Sequence, residues 1–339
     1  MKKAAEISLV YIGLVIGAGF ASGREVMEYF NLRSNTSVCG ILLAAFMFAA
    51  VAYIIMSKAA DENIIGFDGY VDSVAGKAAG FVKGFMLIYM FCGLFTMFSG
   101  SAALVYSLSP FSKTEGALLM AAVCFFVLSF DLRGIVAVNV ILVPIMICGI
   151  VYVAVCTAVF GNKETFSVFE TANREIMLSA VCYAAYNTVT AGAVLVPLSG
   201  GADKKIIRRA AIAGGFIIGL LITLVWLAQG MNFDKLWDSE LPMLELAALC
   251  GKSCKRVYTG VLFMAICTTA ISYGFGLISH FSDKIKTRRR RIAFAAVICL
   301  AALPPAMYGF SNLVARLYSL FGYMGMIWII WIIIDKARG

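Results

Sequence analysis

A chain of 339 residues with 62% hydrophobic residues, 14% charged residues and a mean hydropathy of +0.91 is not that of a soluble protein, because soluble domains contain roughly 45–50% apolar and about 25% charged residues. Each helical crossing of a membrane needs about 20 apolar residues, so ten crossings with short loops use nearly the whole length and exclude a separate soluble domain. The net charge of +9 comes from Lys and Arg in short loops beside apolar segments, where such residues orient membrane helices, so it does not indicate nucleic-acid binding.

Apolar runs separated by polar breaks predict five membrane helices in each half of the chain. The predicted helices of the first half are residues 5–30, 38–59, 80–108, 116–129 and 134–160. Those of the second half are residues 175–198, 206–229, 257–281, 292–308 and 313–334. An odd number of crossings makes the second half enter the membrane from the opposite side, so residues 1–161 and 174–336 are predicted to form an inverted repeat. The predicted fold class is all-α integral membrane, a single transmembrane domain over residues 1–339.

The distribution of basic residues predicts the orientation of the chain. Most of the 28 Lys and Arg fall on the same side of the membrane as the N-terminus, including the dense clusters at residues 204–209 and 284–291. Short cytoplasmic loops are rich in Lys and Arg, so both termini are predicted to be cytoplasmic. Two amphipathic loop segments, residues 67–79 and 241–249, are predicted to lie along the surface of the protein or membrane. The second is either a cap over an outer vestibule or a plain connector.

The first predicted helix is unusually rich in glycine. Residues 13–23, Gly-Leu-Val-Ile-Gly-Ala-Gly-Phe-Ala-Ser-Gly, hold four glycines in eleven residues. Glycine lowers the cost of unwound backbone, whose carbonyl and amide groups then become available as ligands where they line a cavity. The alternative is a close contact between two helices, which small residues also permit. We favour the unwound interpretation, because these small residues are denser than packing requires.

The sixth predicted helix carries polar and small residues at the matching point of the second half. Within residues 182–192, Asn187 and Thr188 lie near the middle of the membrane. Two interrupted helices at corresponding points of two inverted halves are typical of a transport site. We therefore predict that helices one and six are both interrupted and that a small solute binds between them. A carboxylate would suit the amide end of such a break.

The eighth predicted helix places three hydroxyl groups, those of Thr268, Thr269 and Ser272, in the membrane interior. Hydroxyl oxygens are hard donors that can coordinate Na+ together with the backbone carbonyls of an unwound helix. The alternative is that each hydroxyl bonds to the preceding turn of its own helix, which is common in membrane helices. On this segment alone the two interpretations are equally open.

Few ionisable residues lie within the predicted helices, and such residues are functional candidates by default. Glu25 lies just beyond the glycine-rich segment and Arg316 lies near the outer end of the tenth predicted helix, so the two are a candidate extracellular gate. A membrane enzyme would need convergent His, Asp or Glu, which the apolar helices almost lack, so no enzymatic activity is predicted. Cys250 and Cys254 flank a Gly-Lys-Ser loop, where a disulfide or a metal pair is an alternative to two free thiols.

Two motifs carry a resemblance to known membrane proteins. GxxxGxG at residues 13–19, together with AxxTT at residues 265–269, resembles the sodium-site pattern of LeuT-fold transporters in the amino acid-polyamine-organocation (APC) superfamily. Residues 15–25, VIGAGFASGRE, look like the signature of the bacterial YkvI-like membrane proteins. The resemblance implies a LeuT-like form of the ten-helix 5+5 inverted repeat in the cytoplasmic (inner) membrane of a bacterium.

The resemblance also implies a set of site residues. By position, the sodium ligands are the carbonyl oxygens of Gly13, Ile16 and Ala265 and the hydroxyls of Thr268 and Thr269. The solute is expected to lie beside Ala18, Gly19, Phe20, Ala21, Ser22 and Gly23, with Tyr186, Asn187 and Thr188 opposite. One ion is expected, because Phe20 follows the glycine pair where sodium-coupled relatives often place a polar residue.

The function that the resemblance implies is a secondary active transporter, a sodium-coupled symporter of a small amphipathic solute such as an amino acid. The fifth predicted helix has no Lys that could replace the ion, which favours sodium over proton coupling. The expected partners are the solute and the lipid bilayer, with no resident cofactor and no metal other than sodium. The alternatives are a proton-coupled transporter and a ligand sensor on a transporter fold, as in spore-germinant receptors, which binds solute without net flux.

Overall fold

The computed structural model describes residues 2–30, 36–64, 66–108, 110–129, 135–160, 173–281 and 287–338. Regular secondary structure within these residues is entirely helical, and each of the ten predicted segments coincides with a helix or with consecutive helical pieces. The all-helical prediction is confirmed. Seven stretches of the described residues are long and apolar enough to cross a membrane, so the count of ten crossings stays a prediction.

The first half of the chain begins with three short helical pieces and continues with longer helices. These are α1 (Lys2–Val15), α2 (Ala18–Ser22), α3 (Arg24–Tyr29), α4 (Thr36–Asp61), α5 (Phe67–Ala75), α6 (Ala79–Tyr106), α7 (Lys113–Ser129) and α8 (Ile135–Phe160). A short 3₁₀ turn, Gly76–Ala78, joins α5 to α6. The amphipathic segment predicted at residues 67–79 is therefore helical.

The second half also consists of long helices, with short ones in its loops. These are α9 (Asn173–Ser199), α10 (Lys204–Gly230), α11 (Phe233–Leu236), α12 (Pro242–Leu249), α13 (Lys252–His280), α14 (Arg288–Ala306), α15 (Phe310–Leu313) and α16 (Ser319–Arg338). A π-helical segment, Val314–Tyr318, joins α15 to α16. The second amphipathic segment, predicted at residues 241–249, is α12.

Helices of the two halves pack against each other rather than forming separate bundles. α4 contacts α9 and α10, α6 contacts α13, and α1 contacts α10. A buried hydrogen bond crosses from one half to the other, since the Ser8 hydroxyl of α1 donates to the Ala210 carbonyl of α10 at 3.0 Å. Within the first half, the Tyr11 hydroxyl donates to the Phe48 carbonyl at 2.8 Å and joins α1 to α4. Large apolar side chains such as Phe216, which is 69% exposed, cover the outside, as expected of a surface that faces lipid.

The bundle has two distinguishable ends, each with its own ion pairs. The α5 end holds α5 and the start of α1, and there Lys58 pairs with Asp335 at 2.7 Å and joins α4 to α16. The α12 end holds α11 and α12, and there Lys113 pairs with Glu240 at 3.1 Å. The orientation predicted from basic residues would make the α5 end cytoplasmic.

The close approach of α10 to α4 depends on Gly215. A Cβ atom at this position would lie 2.7 Å from the Ala49 amide nitrogen and 2.8 Å from the Ala45 carbonyl oxygen, both backbone atoms of α4. We expect Gly215→Ala to lower the free energy of unfolding by about 1–3 kcal/mol, because overpacking forces the two backbones apart. Thermal unfolding of the purified protein in detergent measures this loss.

Gly260 on α13 provides the matched control for that substitution. No atom lies within 4 Å of the position of a Cβ there, so Gly260→Ala should keep or slightly raise stability, since Ala favours a helix over Gly by about 1 kcal/mol. Equal melting temperatures for the two variants would contradict the close packing of α10 on α4.

Candidate functional site

The first predicted helix is divided into three pieces, α1, α2 and α3. The Gly17 amide donates to the Val15 carbonyl at 2.9 Å instead of to the Gly13 carbonyl four residues back, and Gly17 has an extended backbone with φ −87° and ψ −168°. The predicted interruption of helix one is therefore present. It is narrower than expected, because residues 18–22 are helical and only residues 16–17 and Gly23 leave the helix.

The second break, at Gly23, is held by side chains from the other half of the chain. Gly23 has a φ of +81°, a left-handed conformation that favours glycine. Its carbonyl accepts a hydrogen bond from the buried Gln229 amide of α10 at 2.8 Å. The Ala21 carbonyl accepts one from the buried Tyr258 hydroxyl of α13 at 2.7 Å. The direction of α3 is therefore fixed by contacts with α10 and α13.

The sixth predicted helix is not interrupted, and this part of the prediction is wrong. α9 runs without a break from Asn173 to Ser199. The Asn187 side chain donates to the Tyr183 carbonyl at 3.0 Å, and the Thr188 hydroxyl donates to the Ala184 carbonyl at 2.9 Å. Polar groups that bond to the preceding turn are satisfied inside an intact helix, so they do not require a break.

A cavity of about 300 Å³ lies beside the break at residues 16–17. It is lined by residues from α1, α2, α3, α5, α6, α8, α9, α13 and the π-helical segment. Its lining extends toward the α5 end as far as Phe67, Val194 and Gly276. The walls combine apolar side chains with hydroxyl and amide groups, which is the usual character of a pocket for a small molecule.

All five predicted sodium ligands line this one cavity; they are Gly13, Ile16, Ala265, Thr268 and Thr269. Thr269 faces the break, since its hydroxyl oxygen lies 3.7 Å from the position of a Cβ at Gly17. The structure thus brings the broken helix of the first half and the hydroxyls of the second half together. That these groups bind sodium stays a prediction.

The three hydroxyls of α13 were predicted either to coordinate an ion or to bond to the preceding turn of their own helix, and the structure divides them. Thr268 donates to the Ala265 carbonyl at 3.1 Å, and Ser272 donates to the Thr268 carbonyl at 2.7 Å. These two hydroxyls therefore bond to the preceding turn of their own helix. Thr269 makes no hydrogen bond within the described part of the chain, so its oxygen remains available to a ligand.

The residues predicted to bind the solute separate into two groups. Ala18, Gly19, Tyr186 and Asn187 line the cavity. The remaining predicted solute contacts are buried away from the cavity lining; they are Phe20, Ala21, Ser22, Gly23 and Thr188. For the residues of α2 the reason is that this segment is helical, so its successive side chains point in different directions and only its first turn faces the cavity.

The predicted gate between Glu25 and Arg316 is not formed in this structure. Glu25 is only 5% exposed and lines the cavity, because Gly23 turns α3 back toward the first break. Arg316 is exposed, and its guanidinium lies 5.3 Å from the centre of the Tyr308 ring. Glu25 is therefore a residue of the cavity in this state, not half of an ion pair.

Three tyrosines that were not predicted, Tyr89, Tyr273 and Tyr318, join the predicted Tyr186 in the wall around Glu25. Tyr89 and Tyr273 face each other with hydroxyl oxygens 3.2 Å apart, and the Tyr318 ring lies 5.1 Å from that of Tyr186. All four line the cavity. They come from four helical segments far apart in sequence, and each one singly resembles an ordinary buried aromatic residue.

The α12 end is separated from the cavity by stacked rings. Tyr29 and Tyr186 lie 5.7 Å apart with an angle of 24° between their planes. Beyond Tyr29 is an open vestibule of about 610 Å³ that also includes Arg24 and Trp237. The two aromatic rings therefore stand between the vestibule and the cavity.

Cys250 and Cys254 are free thiols in this structure. Cys250 contacts the Thr157 hydroxyl at 3.7 Å. Among the described residues no group of three or more His, Cys, Asp or Glu side chains is placed to hold a metal ion. The metal pair considered for these two residues therefore gains no support from the fold.

Sequence comparison identifies full-length relatives among membrane proteins. No family model matches the chain. The chain is 28% identical over 341 residues to the uncharacterized membrane protein YkvI of Bacillus subtilis (strain 168), with 99% of this chain and 96% of that protein covered. The resemblance to YkvI-like membrane proteins predicted from residues 15–25 is confirmed. Together with the seven apolar helices, it makes the chain a multi-pass membrane protein.

Structure comparison identifies transporters with the same fold. A manganese transporter of Eremococcus coleocola matches with a TM-score of 0.64 and 11% identity over 97% of this chain and 78% of that chain. A Na+-coupled sialic acid symporter in a substrate-bound outward-open state matches with a TM-score of 0.64 and 13% identity over 98% of this chain and 78% of that chain. These likenesses show a LeuT-like fold.

Proposed function

We propose that this chain is a secondary active transporter that moves a small amphipathic solute, such as an amino acid, in symport with Na+. The main support is the convergence of the five predicted ion ligands and four predicted solute residues on one cavity. The ion ligands come from both halves of the chain, two from α1 and its break and three from α13. An ion held between them would link the two halves and so couple its own binding to their relative position.

The cavity suits a solute of the proposed size and character. Its volume of about 300 Å³ is at the lower end of the range for small-molecule pockets. Met86, Met90, Met97 and Met146 supply flexible apolar contacts, and methionine adapts to side chains of different shape. The polar groups lie near the helix break, so an amphipathic molecule would place its charged end there and its apolar end among the methionines.

Transport would proceed by alternating access between the two ends of the bundle. In the structure the cavity extends toward the α5 end, while Tyr29 and Tyr186 stand between it and the vestibule at the α12 end. With both termini in the cytoplasm of a bacterium and ten crossings in two inverted halves, this would be an inward-facing state. Separation of the two rings and closure at the α5 end would give the outward-facing state.

A ligand screen followed by flux tests this function. Purified protein is heated with each common amino acid in NaCl and in KCl, and a ligand of the folded state raises its melting temperature. We expect at least one amino acid to stabilise the protein more in NaCl than in KCl. Uptake of that amino acid into proteoliposomes should then exceed equilibrium under an inward sodium gradient.

The same assay separates the two alternative functions. Sodium-independent accumulation driven by a pH gradient would replace the sodium symporter by a proton-coupled transporter. Binding without any net uptake would replace transport by ligand sensing.

A further inference from the structure

A carboxylate with no basic partner and one unbonded oxygen atom lines the cavity. Glu25 is 5% exposed, and its Oε2 atom has no hydrogen-bond partner. Within the described residues no Lys, Arg or His pairs with it. The neighbouring Arg24 instead contacts Glu28 at 3.4 Å and the Ser239 carbonyl at 3.4 Å, so its charge is directed toward the vestibule at the α12 end.

Aromatic rings surround this carboxylate. The hydroxyls of Tyr183 and Tyr186 lie beside Glu25 without meeting hydrogen-bond geometry, and these hydroxyls and that of Tyr29 are buried without partners. The rings of Tyr29, Tyr183 and Tyr186 pack on one another with centres 5.2 to 5.7 Å apart. Four buried oxygen atoms without hydrogen-bond partners, Glu25 Oε2 and the hydroxyls of Tyr29, Tyr183 and Tyr186, therefore lie in one cluster of contacting side chains.

This arrangement is complementary to an ammonium group. A lone buried carboxylate is costly unless a cation or a proton accompanies it. An ammonium group supplies a positive charge and three hydrogen-bond donors, which a carboxylate and phenol oxygens can accept. The faces of tyrosine rings also attract cations. A transition-metal ion held by His, Cys, Asp or Glu is less well served, because no three such side chains meet among the described residues.

We propose that Glu25 and the tyrosines around it bind the ammonium group of the transported solute, which is a primary amine or amino acid with a small apolar body. This rests on the proposed function and deepens it, because it names the charged group that the solute must carry. The apolar body would extend from Glu25 along the methionine-lined wall of the cavity. Gly19 makes room for the carboxyl, since a Cβ atom there would overlap Glu25 Oε1.

The test compares three ligands of similar shape against three proteins. L-leucine carries an ammonium and a carboxylate, isopentylamine carries only the ammonium, and isocaproate carries only the carboxylate. The proteins are the full-length wild type, Glu25→Gln and Glu28→Gln. Glu28 is the matched control, because it lies on the same short helix, faces the vestibule and pairs with Arg24. Affinities are measured from melting temperature against ligand concentration in NaCl.

We expect L-leucine and isopentylamine to bind both the wild type and Glu28→Gln. Isocaproate should bind neither protein. Glu25→Gln should weaken both ammonium ligands by about tenfold or more, since a hydrogen bond to a charged group contributes roughly 1.5–3 kcal/mol. The Gln side chain has nearly the same shape and removes a buried charge, so this variant should fold. Gly19→Ala, which displaces the Glu25 carboxyl without removing it, should also weaken both ligands.

Four results would overturn the proposal. They are unchanged binding of the ammonium ligands by Glu25→Gln, isocaproate binding as tight as that of leucine, failure of both ammonium ligands to bind the wild type, and loss of ligand-free sodium stabilisation in Glu25→Gln. The last would make the carboxylate an ion ligand. Uptake is measured separately from binding. Leucine binding that depends on Glu25 but is not followed by uptake would contradict the proposed transport and leave the ammonium site in place. Full uptake by Glu25→Gln would contradict the ammonium site and leave the proposed transport in place.

Discussion

Replacing both Thr268 and Thr269 by alanine is expected to abolish the stabilisation of the protein by sodium. Both hydroxyls line the cavity beside the break of helix one, and together they are two of the five predicted ligands. Removing a hydrogen-bonding group from a charge costs about 1.5–3 kcal/mol, so losing two should weaken sodium binding by about 100-fold or more. Melting temperature against NaCl concentration, with KCl keeping the total salt constant, measures this effect.

The expected size of the sodium stabilisation follows from the general relation between ligand binding and stability. A ligand present at about 100 times its dissociation constant stabilises a protein by about 2.7 kcal/mol, and the double variant should lose nearly all of this. Thr259→Ala is the control, because Thr259 lies on the same helix and donates to the Lys255 carbonyl at 2.8 Å, outside the cavity. An identical sodium response in the control and the double variant would exclude the Thr268 and Thr269 hydroxyls as sodium ligands.

Gly23→Ala is expected to lower both stability and solute affinity. A residue other than glycine at a φ of +81° costs about 1–2 kcal/mol. In addition, a Cβ atom would overlap the Gln229 amide and lie 2.7 Å from the Met243 side chain and 3.2 Å from its backbone nitrogen. Overpacking of this kind adds about 1–3 kcal/mol. Because α3 carries Glu25, a shift of α3 should also weaken ligand binding.

Gly201→Ala separates the cost of a positive φ from the cost of overpacking. Gly201 also has a positive φ, of +64°, but no atom lies within 4 Å of the position of its Cβ. This control should therefore show only the backbone cost of about 1–2 kcal/mol and normal ligand binding. Thermal unfolding and ligand titration of both variants measure the difference. Equal losses in the two would show that the contacts of Gly23 with α10 and α12 do not hold the break in place.

Features encoded locally in the sequence were predictable. Apolar runs placed the helices within a few residues, because membrane helices require about 20 apolar residues each. The glycines at residues 13–23 predicted the break in helix one, and the hydroxyls at Thr268 and Thr269 were predicted to face it. The break and the two hydroxyls both line the cavity. The placement of Thr268 and Thr269 beside the break followed from the resemblance to LeuT-fold transporters, because no local signal in the sequence indicates that contact.

Features decided by side-chain direction were not predictable. Asn187 and Thr188 could either line a break or bond to their own helix, and only the side-chain geometry shows that they do the latter. Glu25 was expected to pair with Arg316, but the turn at Gly23 directs it into the cavity. The surrounding tyrosines come from distant segments, so no spacing in the sequence connects them. The prediction therefore identified residues that line the cavity, but not the direction of Glu25 or the presence of Tyr89, Tyr273 and Tyr318 beside it.

Equilibrium binding of radioactive Na+ to the purified protein and to Thr268→Ala/Thr269→Ala tests the proposed sodium site. We predict saturable binding of one ion per chain to the wild type, displaced by unlabelled NaCl but not by KCl, and no saturable binding to the double variant. Absence of saturable binding to the wild type, or equal binding to both proteins, would contradict a sodium site between the break of helix one and α13.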